Sequence, residues 1–125
     1  MNENQLSYAI IGAALEIHKS VGPGLLESAY ENALIYELQK AGLNVKNQLP
    51  LPFNYKGTHL DVGYRIDLMV NNKVIVEIKS VETLLPVHYS QLLTYLRLSG
   101  LKLGILINFN CSKLSDGTHR VVNNL

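Results

Sequence analysis

The sequence predicts a mixed α/β fold, a β-sheet with helices on its faces, and three features lead there. Apolar residues recur at helical spacing over the first 40 positions, the period changes to two after Val45, and Leu103–Phe109 is an apolar run interrupted by Asn108 alone. With 125 residues, 47% of them hydrophobic and 17% charged, the chain has the material for one domain, residues 1–125, with a substantial core.

The first helix is expected over about residues 5–19, where Leu6, Ala9, Ile10, Ala13, Ala14 and Ile17 form one stripe. Ser20-Val21-Gly22-Pro23-Gly24 breaks it, and Pro23 suits the first turn of a second helix running to about Lys40. Leu26, Tyr30, Ala33, Leu34 and Leu38 mark its buried side, and Gly42 can supply a left-handed cap. Val45 to Tyr55 reads as a strand interrupted by Pro50 and Pro52, hence an edge strand. Lys56-Gly57 turns it into a second strand, Leu60–Met69, and Asn71-Asn72 turns that into a third, Lys73–Ser80. A third helix over about 87–98 closes at Gly100. Leu103–Phe109 reads as a fully buried strand, and Arg120-Val121-Val122 as a short last one.

The start, Met1-Asn2-Glu3-Asn4-Gln5, is polar and lacks the basic segment of a signal peptide. No stretch approaches the roughly 18 apolar residues of a membrane span, so a cytoplasmic protein without membrane contact is expected. Cys111, the one cysteine, excludes an internal disulfide and a multi-cysteine metal site, and reads as a small packed residue. Net charge is +1, but it is unevenly spread. Residues 1–40 carry two bases against five acids; residues 41–125 carry nine bases against five acids. The basic part can meet phosphates, although no basic arm or aromatic-rich strand face is evident.

The third strand contains Val74-Ile75-Val76-Glu77-Ile78-Lys79-Ser80. Alternation sets Glu77 and Lys79 on one face with Ile75, and two charges at the end of an apolar strand require an account. Asp67 lies near the end of the preceding strand. A regular two-residue Asn71-Asn72 loop would put Asp67 opposite Val76 and send Glu77 to the other face. A three-residue loop or a bulge is therefore expected, since asparagine tolerates the left-handed conformation such loops need.

Two carboxylates and an ammonium at one point admit two readings. Oxygen ligands of this kind suit Mg²⁺ or Mn²⁺, with Lys79 assisting a water or stabilising charge on a phosphate. Alternatively Glu77 pairs with Arg65 and Lys79 with Asp67 in a structural ion-pair network.

Asp67, nine intervening residues and Glu77-Ile78-Lys79 together resemble the D…(D/E)-X-K signature of the PD-(D/E)XK nuclease superfamily. The expected helix–three strands–helix–strand order is similar to that superfamily's restriction-endonuclease-like αβββαβ core, here with an extra N-terminal helix. Gly24-Leu25-Leu26-Glu27-Ser28-Ala29-Tyr30 resembles the G-x-x-E-x-x-Y motif of a family of small bacterial proteins within it. Arg65-Ile66-Asp67-Leu68, the stretch Gln91–Leu96 and Gly104–Phe109 look like that family too, so the likeness spans about residues 5–122. Ile66 stands where the signature often has proline.

The resemblance implies that Asp67, Glu77 and the main-chain carbonyl of Ile78 bind a metal ion, that Lys79 is the catalytic lysine, and that Glu27 completes the acidic cluster. Gln91 and Tyr95, four apart on one helical face, resemble the Q-x-x-x-Y element that orients water or DNA. Tyr30, Tyr64 and Tyr95 are candidates for stacking on bases, with core packing as the other reading. The implied activity is Mg²⁺- or Mn²⁺-dependent hydrolysis of phosphodiester bonds in DNA, with RNA as another substrate class and a homodimer as the working form. The alternative is a non-cleaving nucleic-acid-binding or accessory subunit that keeps the nuclease fold.

Overall fold

The computed structural model describes residues 1–125. Two helices, α1 (Glu3–Val21) and α2 (Glu27–Lys40), precede a five-stranded sheet of spatial order β1-β4-β5-β6-β7. Its strands are β1 (Val45–Pro50), β4 (Arg65–Val70), β5 (Val74–Lys79), β6 (Leu103–Asn108) and β7 (Thr118–Val122). Between β1 and β4 the chain forms a separate hairpin, β2 (Phe53–Tyr55) and β3 (Thr58–Leu60). Helix α3 (Pro86–Ser99) carries the chain from β5 to β6, which run parallel; the other neighbours in the sheet are antiparallel. This is the mixed sheet with flanking helices that the sequence predicts. No helix is long and apolar enough to cross a membrane.

Two apolar layers fix the sheet. Leu6, Ile10 and Ala14 of α1 and Tyr30, Leu34 and Leu38 of α2 cover one face, against Leu68, Val70, Val76 and Ile105. Leu92, Tyr95 and Leu96 of α3 cover the other, against Ile66, Ile75 and Leu106. Strands β5 and β6 lie in the middle with helices on both sides, which is why they read as continuous apolar runs. Gly104 lets α3 lie close: a Cβ there would come within 2.7 Å of the buried Leu92 side chain.

The helix ends follow local chemistry. Asn2 and Gln5 form a reciprocal capping box at the start of α1. Gly42 (φ 84°) and Gly100 (φ 72°) take the left-handed conformation expected after α2 and α3. His88 accepts the Leu85 N–H at Nδ1 (3.0 Å) and so serves the start of α3.

Three boundaries differ from the sequence reading. Pro23 is not in the first turn of α2, which begins at Glu27. The intervening loop is held outside the helix by Gly24 (φ 101°) and by Tyr30, whose hydroxyl donates to the Gly22 carbonyl (2.6 Å) and accepts the Leu25 N–H (3.1 Å). The expected strand Val45–Tyr55 divides at Leu51-Pro52, and Leu60–Met69 divides at Asp61–Tyr64. The halves far from the sheet pair with each other as the β2–β3 hairpin, because Lys56 (φ 50°) and Gly57 (φ 76°) make a tight two-residue turn. β1 is an edge strand, as its prolines require.

A further difference concerns aromatic rings. Tyr55, Phe53, Tyr64 and Tyr95 form a connected series with centroid spacings of 6.3, 6.4 and 5.7 Å, and β2 sets two of them, Phe53 and Tyr55, on one face. The sequence scatters these rings over the hairpin, a linker and α3, so the series exists only after folding.

Candidate active site

Regular alternation of side chains fails at one place in the sheet, and the charged cluster is built there. In β4, Leu68 and Val70 face α1 and α2, whereas Ile66 faces α3. In β1, Val45 packs with the first group and Leu49 with the second. The register does not slip, since Asn47 pairs with Leu68 and Leu49 with Ile66. Both strands turn over together at Gln48 and Asp67. Gln48 accomplishes this with φ 49°, a conformation uncommon for a residue with a side chain.

β4 and β5 are joined by a three-residue loop, Asn71-Asn72-Lys73, which pairs Val70 with Val74 and Leu68 with Val76. Asn71 (φ 52°) and Asn72 (φ 54°) supply the left-handed turn. This is the odd loop that the positions of Asp67 and Glu77 demand. The recorded pairing stops at Leu68–Val76, and beyond it carboxylates take over from the ladder. The Asp67 N–H donates to Glu77 Oε2 at 2.8 Å, and the Ile78 N–H donates to Asp67 Oδ2 at 2.9 Å. Ile78 presents its carbonyl at the same strand edge as its N–H.

Glu77 is only 4% exposed. Burial, and then the nearby charge of Asp67, pushes its carboxyl up to about 8, against the opposing pull of the Asp67 N–H and Lys79. Burial also raises Asp67, opposed by the Ile78 N–H and by Lys79. Arg65, expected in the ion-pair reading to face Glu77, instead donates to the Gln48 carbonyl at 3.0 Å. Both desolvated acids thus feel the charge of one ammonium, Lys79, half-buried at the end of β5.

Helix α2 brings its acids from one side. Glu27 Oε2 accepts the Ser80 N–H at 3.1 Å, and Ser80 Oγ donates to the Leu25 carbonyl at 2.8 Å. One turn further, Glu31 Oε1 accepts from Gln48 Nε2 at 2.7 Å, while the same nitrogen lies 3.4 Å from Asp67 Oδ1. Burial raises Glu31 as well. Glu27, Ser28, Glu31, Gln48, Asp67 and Ile78 line a cleft of about 350 Å³. From the other side, α3 places Tyr95 near Glu77; burial and then the Glu77 charge raise the phenol. Gln91 is half-buried one turn earlier on the same helical face.

The structure therefore brings Asp67, Glu77, Ile78 and Lys79 together, with Glu27 at the rim and Tyr95 behind. Tyr30 is not among them. Fully buried, stacked on Phe109 at 4.3 Å and bonded to its own loop, it offers no surface to a base. The tyrosine of Gly24-x-x-Glu27-x-x-Tyr30 shapes the loop that delivers Glu27. Sequence reasoning missed Glu31 and Gln48. Glu31 had a signal, standing four residues after Glu27 on the same helical face; Gln48 had none. Also missed was Asn108, aligned with Lys79 on β6 and bonded to both the carbonyl (2.9 Å) and the N–H (3.1 Å) of Val81. Cys111, its thiol pushed up by burial, donates to the Asn108 carbonyl.

No three acid or histidine side chains stand close enough to enclose an ion as the protein is folded. The donor chemistry nevertheless fits a hard divalent cation. Each carboxylate spends one oxygen on a main-chain N–H, which leaves Glu77 Oε1 over and Asp67 Oδ1 with only the long 3.4 Å bond from Gln48 Nε2.

Comparison with known proteins bears on the fold and the family. A crystal structure titled "Crystal structure of SSO0001" superposes with a TM-score of 0.59 at 23% identity, over 79% of this chain and 51% of that one. The chain thus spans about half the length of that solved chain, and the likeness is one of fold. A search of the curated proteins found none that matches. The model of the PD-(D/E)XK nuclease superfamily matches residues 4–121, which takes in every element from α1 to β7. The chain belongs to the PD-(D/E)XK nuclease superfamily.

Proposed function

We propose that the protein is a divalent-cation-dependent nuclease that hydrolyses phosphodiester bonds in DNA, with Asp67, Glu77 and Lys79 as its catalytic residues. The observation that carries this reading is the meeting of a buried carboxylate, Glu77, and a half-buried one, Asp67, in the fork between β4 and β5, with a lysine two residues beyond Glu77. Such a placement is costly unless a cation joins it.

A bound Mg²⁺ or Mn²⁺ would supply the charge that lets both acids stand ionised and would polarise the scissile phosphate. Asp67 and Glu77, with the Ile78 carbonyl, are the residues to hold it. Glu27 and Glu31 are placed to hold waters on the open side of the cleft. Lys79 orients the attacking water or balances charge on the phosphate. Gln91 and Tyr95, on the α3 side, orient water or the incoming strand. The G-x-x-E-x-x-Y likeness assigns the protein to a family of small bacterial members of the superfamily. A homodimer would double the surface available to DNA.

The test is a cleavage assay on labelled single-stranded, branched and duplex DNA, with RNA alongside, in Mg²⁺ or Mn²⁺. The wild type should cut at least one DNA substrate, and Glu77→Gln and Lys79→Ala should each lose at least about 100-fold of the rate, the scale of a positioned catalytic group. Binding without cleavage under either metal would favour the accessory-subunit reading.

A further inference from the structure

We propose that the β2–β3 hairpin is a binding element for the unpaired bases of a DNA strand, which it stacks and leads to the Asp67–Glu77 fork. The proposal deepens the nuclease reading and rests on it for the purpose of the site, though not for the binding itself.

An isolated two-stranded hairpin is marginal in water, so one that persists outside the main sheet has to be held by something. Neither apolar layer includes Phe53, Tyr55 or Leu60, and all of β3 is exposed. What holds the hairpin is its foot, where the Leu51 N–H donates to the Tyr64 carbonyl at 2.9 Å, and the ring series Tyr55–Phe53–Tyr64–Tyr95. That series runs from the hairpin tip to the side of Glu77. Neighbouring rings are stacked or edge-on at spacings where aromatic attraction is felt, so ring contacts link the tip to the fork.

The tip is shaped for a base. Tyr55 is 54% exposed, and Lys56 Nζ lies 5.4 Å from its ring centroid. The left-handed Lys56-Gly57 turn holds that pair at the outermost point. An exposed ring with a cation over its face, which can turn to a phosphate as a base takes its place, matches what single strands offer. At the hairpin's foot a cleft of about 200 Å³ is lined by Pro50, Pro52, His59, Asp61, Tyr64 and Arg65, among others. Duplex DNA keeps its base faces stacked inside the helix, and its capture relies on many phosphate contacts, which a chain of net charge +1 is poorly equipped to make. The observations favour the unpaired strand.

The experiment measures fluorescence anisotropy in Mg²⁺ with Lys79→Ala protein, so that binding is read without strand loss. Probes are a labelled 15-nucleotide oligo-dT, an abasic oligomer of the same length and a 15-base-pair duplex. The oligo-dT should bind at least about fivefold tighter than either other probe. Adding Tyr55→Ala should weaken oligo-dT by about 5- to 150-fold, the value of one stacked base, and leave the abasic oligomer within twofold. Tyr55→Phe should restore most of the affinity. The proposal is overturned if Tyr55→Ala leaves oligo-dT binding within twofold, if both oligomers weaken equally, or if oligo-dT does not bind. Tyr55 ends the ring series and lies outside both apolar layers, so the melting curves of the variants should differ little. Failure of the nuclease reading looks different: Tyr55-dependent binding by a wild type that cuts nothing.

Discussion

Asp67 and Glu77 are each held by the other's strand: the Asp67 N–H donates to Glu77 Oε2 at 2.8 Å, and the Ile78 N–H donates to Asp67 Oδ2 at 2.9 Å. Two side chains thereby occupy the positions that a ladder of main-chain bonds would otherwise fill. The arrangement satisfies one oxygen of each acid, fixes their separation and leaves the remaining oxygens to be shared. It also makes the fork a place where stability and activity pull in opposite directions.

The acid–base consequence is direct. Glu77 titrates at about 8 in the folded protein and near 4.5 in an ordinary environment, so the folded state retains a proton that the unfolded chain has lost between those values. Stability without a metal should therefore fall as pH rises from about 5 to 8, by a few kcal/mol at roughly 1.4 kcal/mol per unit. Glu77→Gln keeps an acceptor for the Asp67 N–H but removes the titration. In EDTA at pH 8 its melting temperature should exceed the wild type's by at least about 4 °C, and the gap should close by pH 5. Melting curves across pH 5–9 provide the check.

Gln48 separates backbone strain from side-chain function. Glycine adopts its φ of 49° without penalty, so Gln48→Gly should fold as well as the wild type or be more stable by up to about 1 kcal/mol. The same change removes the amide that bonds Glu31 and approaches Asp67, so Mn²⁺ affinity should drop severalfold. Gln48→Val forces a β-branched residue into the left-handed region and should cost about 1–3 kcal/mol. Urea unfolding alongside metal titration distinguishes the three proteins.

Much of this was legible in the sequence. Helical and two-residue periods located the helices and the buried strands, and the parity of Asp67 and Glu77 demanded an odd loop, found at Asn71–Lys73. Gln48 was not legible, because nothing in Asn47-Gln48-Leu49 announces a left-handed residue; the requirement arises from two strands turning over together. The hairpin was read as strand continuations because period two persists through it, and only Pro52 and Gly63 (φ 71°) hint at departure from the sheet. Tyr30 shows the same limit. Its helical spacing suited both a core and a stacking role, and a partner 79 residues away, Phe109, decided between them.

Tyr30→Phe should leave the site intact and loosen the loop before it. The hydroxyl's bonds to Gly22 and Leu25 are lost while the stack on Phe109 stays. At about 1 kcal/mol per bond, stability should fall by about 1–2 kcal/mol. Cleavage rate should change far less than with Glu27→Ala, if the motif's tyrosine only supports its glutamate. Parallel unfolding and rate measurements decide.

Asn108 anchors the chain as it leaves Lys79. Its amide donates to the Val81 carbonyl, and its carbonyl oxygen accepts the N–H groups of Val81 and Asn110. Asn108→Ala leaves these part-buried groups without partners and should cost about 1–3 kcal/mol. Amide exchange at Val81 should accelerate markedly, ahead of exchange in β6.

The most direct measurement is calorimetric titration of Mn²⁺ into the wild type at pH 7.5, beside Glu77→Gln and with folding verified by circular dichroism. The account predicts saturable binding to the wild type, release of protons on binding as Glu77 ionises, and loss of both in the variant. A folded wild type that binds no Mn²⁺, with or without a short DNA strand present, would contradict it.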